Sequence, residues 1–103
     1  MKMHYSMMML VLALTGGHAA AATEDTCRAC HTLTAKLVGP PFREVAARYK
    51  DDQQAIEKLK KSMLEGSQGK WGSAAMPANV GLTPAEADRF AHWVMGLNAT
   101  NKQ

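Results

Sequence analysis

The chain has 103 residues, 12 Lys and Arg against 9 Asp and Glu, a formal net charge of +3, and two cysteines. A chain this short holds one small domain with a limited core, of the kind that often needs a metal, a disulfide or a cofactor as a staple. Its charge lacks the basic stripe of a nucleic-acid binder, because Lys58, Lys60, Lys61 and Lys70 interleave with Glu57 and Glu65; they read as a solvated helix face, some of it bordering a docking patch.

The N-terminal stretch reads as a leader. Lys2 and His4 form a short polar start, Met7 to Leu14 an apolar run, and Ala19 to Ala22 a small-residue cleavage site. This is the pattern of a secretory signal peptide, residues 1–22. The run is too short for a transmembrane helix, which needs roughly 20 apolar residues. Cleavage leaves a domain of residues 23–103, exported to the periplasm, with no stable membrane insertion expected afterwards. Twelve basic residues less Lys2 leave 11 against 9 acidic ones, a net of +2.

Within the mature part no alternating strand pattern, repeat or second domain is evident, so the expected class is all-α. A first helix is predicted to start at Thr23 to Asp25, where short oxygen-bearing side chains cap it, and to carry Cys27, Cys30 and His31 near its end. A loop follows through Leu37-Val38-Gly39-Pro40-Pro41, with Pro41 at the first position of a short helix to about Tyr49. Asp51-Asp52 is expected to cap a third helix over residues 53–65, whose Ile56, Leu59 and Met63 share one face. Gly66 stops it. Ser67 to Gly81 is a loop long enough to suggest a functional reason. Thr83-Pro84-Ala85-Glu86 is a capping box with proline at the first helical turn. It opens a last helix to about Leu97, with Phe90, Ala91, Val94 and Leu97 facing the core and Trp93 flanking them.

Cys27-Arg28-Ala29-Cys30-His31 carries the chemistry. In Cys-x-x-Cys-His each thiol adds across one haem vinyl group, and two intervening residues let one helical turn span both vinyls. The adjacent histidine is then held at the iron, which is why the pattern reads as covalent haem c attachment. A thioredoxin-like site would need a βαβ context, which is missing. A structural zinc site needs four ligands, and the only further candidate, His92, lies well inside the last helix. For the sixth iron ligand the candidates are Met63, Met76, Met95 and His92. Met63 and Met95 read as core filler and His92 as a surface residue. Met76 sits in the long loop before Pro77, where a stiffened approach can bring a thioether to the iron.

These residues resemble a known family, the small bacterial class I cytochromes c of the c-551/c-552 group. The resemblance spans the mature chain through CRACH (Cys27 to His31), VGPPF (Val38 to Phe42), GSQGKWG (Gly66 to Gly72), MPAN (Met76 to Asn79) and AHWVMG (Ala91 to Gly96). Pro41 departs from it, where relatives can carry a small residue. The resemblance implies a cytochrome c fold of about four short helices wrapped around one haem, with the first and last helices packed together. It implies that the Pro40 carbonyl accepts a hydrogen bond from His31, that Trp71 donates to a haem propionate, and that Asn79 hydrogen-bonds near the Met76 sulfur. For Trp71 a plain core aromatic is the other reading, and for Asn79 a turn residue. The implied function is a periplasmic, monomeric, monohaem electron carrier rather than an enzyme. Its partners would be a cytochrome bc-type donor and a nitrite reductase or terminal oxidase as acceptor. The alternatives are a haem-based NO or CO sensor in which Met76 leaves the iron, and a dedicated cytochrome subunit of a larger oxidoreductase.

Overall fold

A computed structural model of the chain describes residues 24–100; the predicted leader, Thr23 and residues 101–103 lie outside them. Four helices follow in order: α1 (Glu24–Arg28), α2 (Phe42–Arg48), α3 (Ala55–Glu65) and α4 (Pro84–Gly96), the last continued by a 3-10 turn, Leu97–Ala99. Among the described residues the only strand-like feature is an isolated antiparallel bridge between Ser67 and Met76. No helix among them is long and apolar enough to cross a membrane.

The first helix is shorter than its sequence suggests. It ends at Arg28, held by an ion pair from Arg28 back to Glu24 one turn earlier. Cys30 and His31 follow in a turn closed by their amides on the Cys27 carbonyl, at 3.1 and 2.9 Å. The helix stops there because its next carbonyls are taken elsewhere. Cys30 O accepts from Gly39 N, Thr32 O from Phe42 N and Leu33 O from Arg43 N, at 2.8, 2.8 and 3.1 Å. The same bonds satisfy the first amides of α2, which have no partner inside their own helix. Pro41 precedes α2 as its cap residue, with no side-chain hydrogen bond, and is fully buried.

The start of α3 also moves. Asp52 accepts from the Gln54 amide at 2.8 Å, and its carbonyl accepts from Ala55 N at 3.1 Å. These bonds form a turn that delays the helix to Ala55. Gly66 ends α3 at φ 81°, in the left-handed region that favours glycine. The capping box of α4 is complete: the Thr83 hydroxyl accepts from Glu86 N at 3.2 Å, and the Glu86 carboxylate accepts from Thr83 N at 2.9 Å.

The core is built where α4 crosses α2 and α3. Phe42, Val45, Ala46, Leu59, Ala91 and Val94 form one buried cluster, with Tyr49, Ile56, Met63, Trp71 and Leu97 packed against it. Ala46, Ala87 and Ala91 have no exposed surface, because side chains this small let helix backbones approach closely. The Asn98 amide donates to the Ala46 carbonyl at 2.8 Å, and Arg43 to the Thr100 hydroxyl at 2.8 Å, tying the C-terminal turn to α2. Phe90, expected in this core, is only half-buried and turns to a cavity instead. The expected packing of the first helix on the last is reduced to a single side chain. α1 has five residues, none of them buried, and touches the core only through Cys27.

The cap leads to a paired expectation. Thr83→Ala should cost about 1 kcal/mol, the usual worth of such a cap, lowering the thermal midpoint by roughly 4–8 °C for a domain this small. The hydrogen bond from the Thr83 backbone holds the Glu86 carboxyl below its ordinary range. A carboxyl whose pKa is depressed by folding stabilises above its unfolded pKa, and that contribution is lost as pH falls through the folded one. Glu86→Gln keeps an acceptor but cannot titrate. Its thermal midpoint should therefore lie below that of the parent at neutral pH and converge on it in acid.

Candidate haem site

An open, largely apolar cavity of ≈ 360 Å³ lies among α1, α2, α3, α4 and the two long loops. Cys27, Cys30 and His31 line it from the chain's first turn, and Trp71 and Met76 from the 66–81 loop. Phe42, Val45, Leu59, Met63, Phe90 and Val94 supply the helical walls.

His31 is held on three sides. Its Nδ1–H donates to the Pro40 carbonyl at 2.8 Å, which leaves the Nε2 lone pair for a metal; a second hydrogen bond of this kind fixes tautomer and ring orientation. The ring stacks on Phe42, with centroids 5.0 Å apart and planes 18° from parallel. Phe42 in turn meets the Trp93 ring edge-on at 5.3 Å. On a further side lies Gly39, where a Cβ would sit 2.5 Å from His31 Cε1. Gly39 is thus needed for the closeness of the imidazole, a role that VGPPF as a string of letters does not reveal.

Met76 is set by backbone, not by its own side chain. Its amide donates to the Ser67 carbonyl and its carbonyl accepts from the Ser67 amide, both at 2.9 Å. Gly66, just before, lies so close that a Cβ would come 2.6 Å from Met76 O and 3.0 Å from Ala78 N. The glycine that stops α3 therefore also lets the 76–78 segment pass against it. Asn79 completes the anchor, donating from both its backbone N and its side-chain Nδ2 to Met63 O at the end of α3, at 2.9 and 3.0 Å. The resemblance implies a hydrogen bond near the Met76 sulfur; here the amide fastens the loop to a helix carbonyl with no intrahelical partner. Trp71 lies half-buried in the cavity wall with the Arg48 guanidinium 4.3 Å over its ring, and Arg48 donates to Lys70 O.

The residues fit a covalent haem better than a bare metal ion. The cysteines are unbridged, half-buried and on the cavity. Burial pushes the Cys27 thiol up, and Glu24 adds to the effect. Among the described residues no three His, Cys, Asp or Glu side chains come together as a metal-holding group. His92 is off the cavity, exposed on α4, with its ring N–H donating to the Asp88 carbonyl at 2.8 Å. Met95 packs on the core outside the cavity wall, whereas Met63 belongs to both.

Among the described residues, helices alone with a CxxCH turn opening on an apolar cavity define the class as small haem c proteins, and comparison with known proteins makes the assignment specific. Residues 17–98 match the family model described as Cytochrome c. Cytochrome c-552 of Nitrosomonas europaea is 36% identical over 89 residues, covering 86% of this chain and 86% of the relative. Cytochrome c-551 of Pseudomonas denitrificans is 41% identical over 71 residues, covering 69% and 85%. The crystal structure of wild-type Nitrosomonas europaea cytochrome c552 matches with a TM-score of 0.69 at 38% identity, covering 71% of this chain and 90% of that one. The chain belongs to the cytochrome c family, is similar to its c-551 and c-552 members, and takes one covalently bound haem c.

Two glycines give the expected outcomes for this site. Gly39→Ala forces the His31 ring to move and should destabilise the holoprotein by roughly 1–3 kcal/mol, the range for overpacking. Gly66→Ala adds strain at a positive φ and should cost at least ~1 kcal/mol. Thermal melts of the purified holoproteins check both, and a Gly39→Ala protein as stable as the parent would show that the imidazole is not confined there.

Proposed function

We propose that the protein is a periplasmic electron carrier in which Cys27 and Cys30 bind the haem covalently and His31 and Met76 ligate its iron. The observation that carries this reading is the backbone clamp from Gly66 and Ser67 to Met76, which brings a loop thioether to the wall of the cavity that CRACH opens on. When bound, the haem supplies a one-electron Fe(III)/Fe(II) couple. The chain sets how easily that couple turns over. A neutral imidazole and a soft thioether raise the potential relative to other axial pairs. The apolar walls disfavour the oxidised centre, which carries one more positive charge. Ligands held by the Pro40 carbonyl and the Ser67 pairing need little rearrangement between the two states. The propionate contact of Trp71 belongs to the same reading; its indole N–H makes no hydrogen bond to another described residue.

Electron exchange is assigned to the cavity rim. Val38 is 59% exposed, and Ala74, Ala75, Pro77 and Ala78 are exposed on the ligand loop; all but Ala78 line the cavity. A small apolar rim of this kind suits a short-lived redox encounter, which typically buries less than about 1,200 Å². The partners are redox proteins; the family suggests a cytochrome bc-type protein as donor and a nitrite reductase or terminal oxidase as acceptor. The leader at residues 1–22 is the reason for placing the exchange in the periplasm.

Met76→Ala should abolish the weak long-wavelength charge-transfer band of a ferric haem bound by a thioether. It should also lower the midpoint potential on the order of 0.2 V, a quarter of the ~0.8 V that axial ligands span. Met63→Leu should leave both unchanged; the opposite pattern would move the ligand to α3. Rapid CO binding by the unsubstituted reduced protein would favour the sensor reading. Ala75→Asp should slow electron transfer to a partner several-fold with the haem spectrum intact, and stopped-flow rates equal to the parent's would remove the rim from the contact.

A further inference from the structure

The plane of the His31 ring rests on a chain of contacts that reaches α4. The Pro40 carbonyl fixes one atom, Nδ1. The Gly39 backbone lies over Cε1, since an added Cβ would stand 2.5 Å from it and 2.8 and 2.9 Å from the two ring nitrogens. The tilt is set by Phe42, whose ring is 18° from parallel with the imidazole. Phe42 has two supports of its own. Its amide donates to Thr32 O, one residue after His31, at 2.8 Å. Its ring meets Trp93 edge-on, with planes 85° apart and centroids 5.3 Å apart. The edge of one aromatic ring against the face of another is a directional contact as well as a buried one. The first support ties Phe42 to the His31 segment itself. The second comes from a separate element, since α4 is held by its own capping box and by its crossings with α2 and α3.

We propose that Trp93 is a positioning residue for the axial imidazole: acting through Phe42, it fixes the plane of the His31 ring and with it the hydrogen bond from Nδ1–H to Pro40. That bond makes the ring nitrogen on the iron side more basic, and a more basic ligand favours the ferric state. Without the Trp93 edge, Phe42 and the imidazole tilt together. The bond to Pro40 then lengthens, the ligand donates less, and the midpoint potential rises. The inference rests on His31 as an iron ligand and adds to that reading a part for α4 in setting the couple. Trp93 is 38% exposed while Phe42 is buried, so the indole can be replaced with less disturbance of the core than the ring it supports.

The test is the proton NMR spectrum of the ferric holoprotein, in which the shifts of the haem ring methyls follow the orientation of the axial ligand planes, read together with the midpoint potential. Trp93→Leu keeps an apolar side chain on α4 but removes the ring edge. It should redistribute the methyl shifts and raise the midpoint. Trp93→Phe restores an aromatic edge and should return both toward the parent. Trp93 also lines the haem cavity, and a direct effect from there is separated by a double-mutant cycle. In a Phe42→Leu background, or Phe42→Met should the first not fold, Trp93→Leu should produce little further change, because residues that act through one contact are not additive. Changes that add in full to those of the Phe42 variant would overturn the proposal. So would a Trp93→Leu protein that melts at a lower temperature but keeps the parent's methyl shifts and midpoint, since packing alone would then be lost. A parent spectrum without imidazole ligation would remove the ligand reading itself, whereas unchanged shifts in Trp93→Leu with that ligation intact overturn only the role of Trp93.

Discussion

Phe42, Val45, Leu59 and Val94 belong at once to the buried core and to the wall of the haem cavity, so the cofactor of this family is a packing partner of the fold as much as its functional group. The described core contains no buried polar or charged residue, and its apolar part is small. A domain of this size buries too little surface to be amply stable by itself. Covalent attachment at one turn of chain would place the apolar group in the cavity that these side chains line. It would do so without a disulfide, whose closed loop between residues three apart would constrain very little.

Around that shared wall the backbone does most of the positioning. Carbonyls 30, 32 and 33 are given to the amides of residues 39, 42 and 43. That exchange ends α1, starts α2 and folds the Pro40 carbonyl onto His31. Gly66 plays the matching part on the other loop, ending α3 and letting the backbone of residues 76–78 pass close by. In both places a glycine is required by the approach of another group, His31 in one case and the Met76 carbonyl in the other. A turn that serves as a helix end and as a ligand support couples local folding to the site.

The two faces of the 66–70 turn differ in character. Trp71 and the 74–77 segment line the haem cavity, Arg48, Lys58 and Lys61 line a neighbouring cleft, and Ser67 and Lys70 line both.

Some of this was legible in the residues alone. CRACH declares haem attachment because the chemistry of two thioethers and an adjacent imidazole demands that spacing. Thr83-Pro84-Ala85-Glu86 declares a helix start because the box is completed within four residues. The helical class and the apolar face of α3 follow from periodicity. What only the tertiary structure decided are relations between distant segments. Cys30 and His31 lie beyond α1 because their neighbours' carbonyls bond to residues 39–43. Phe90 turns to the cavity because alanines at 87 and 91 fill the close crossing. Asn79 serves the end of α3 because Met63 leaves a carbonyl there without a helical partner. Local hydrogen bonding and covalent chemistry are written in short stretches of sequence, whereas the choice among competing partners for one carbonyl or one cavity wall depends on which segments the folded chain brings together.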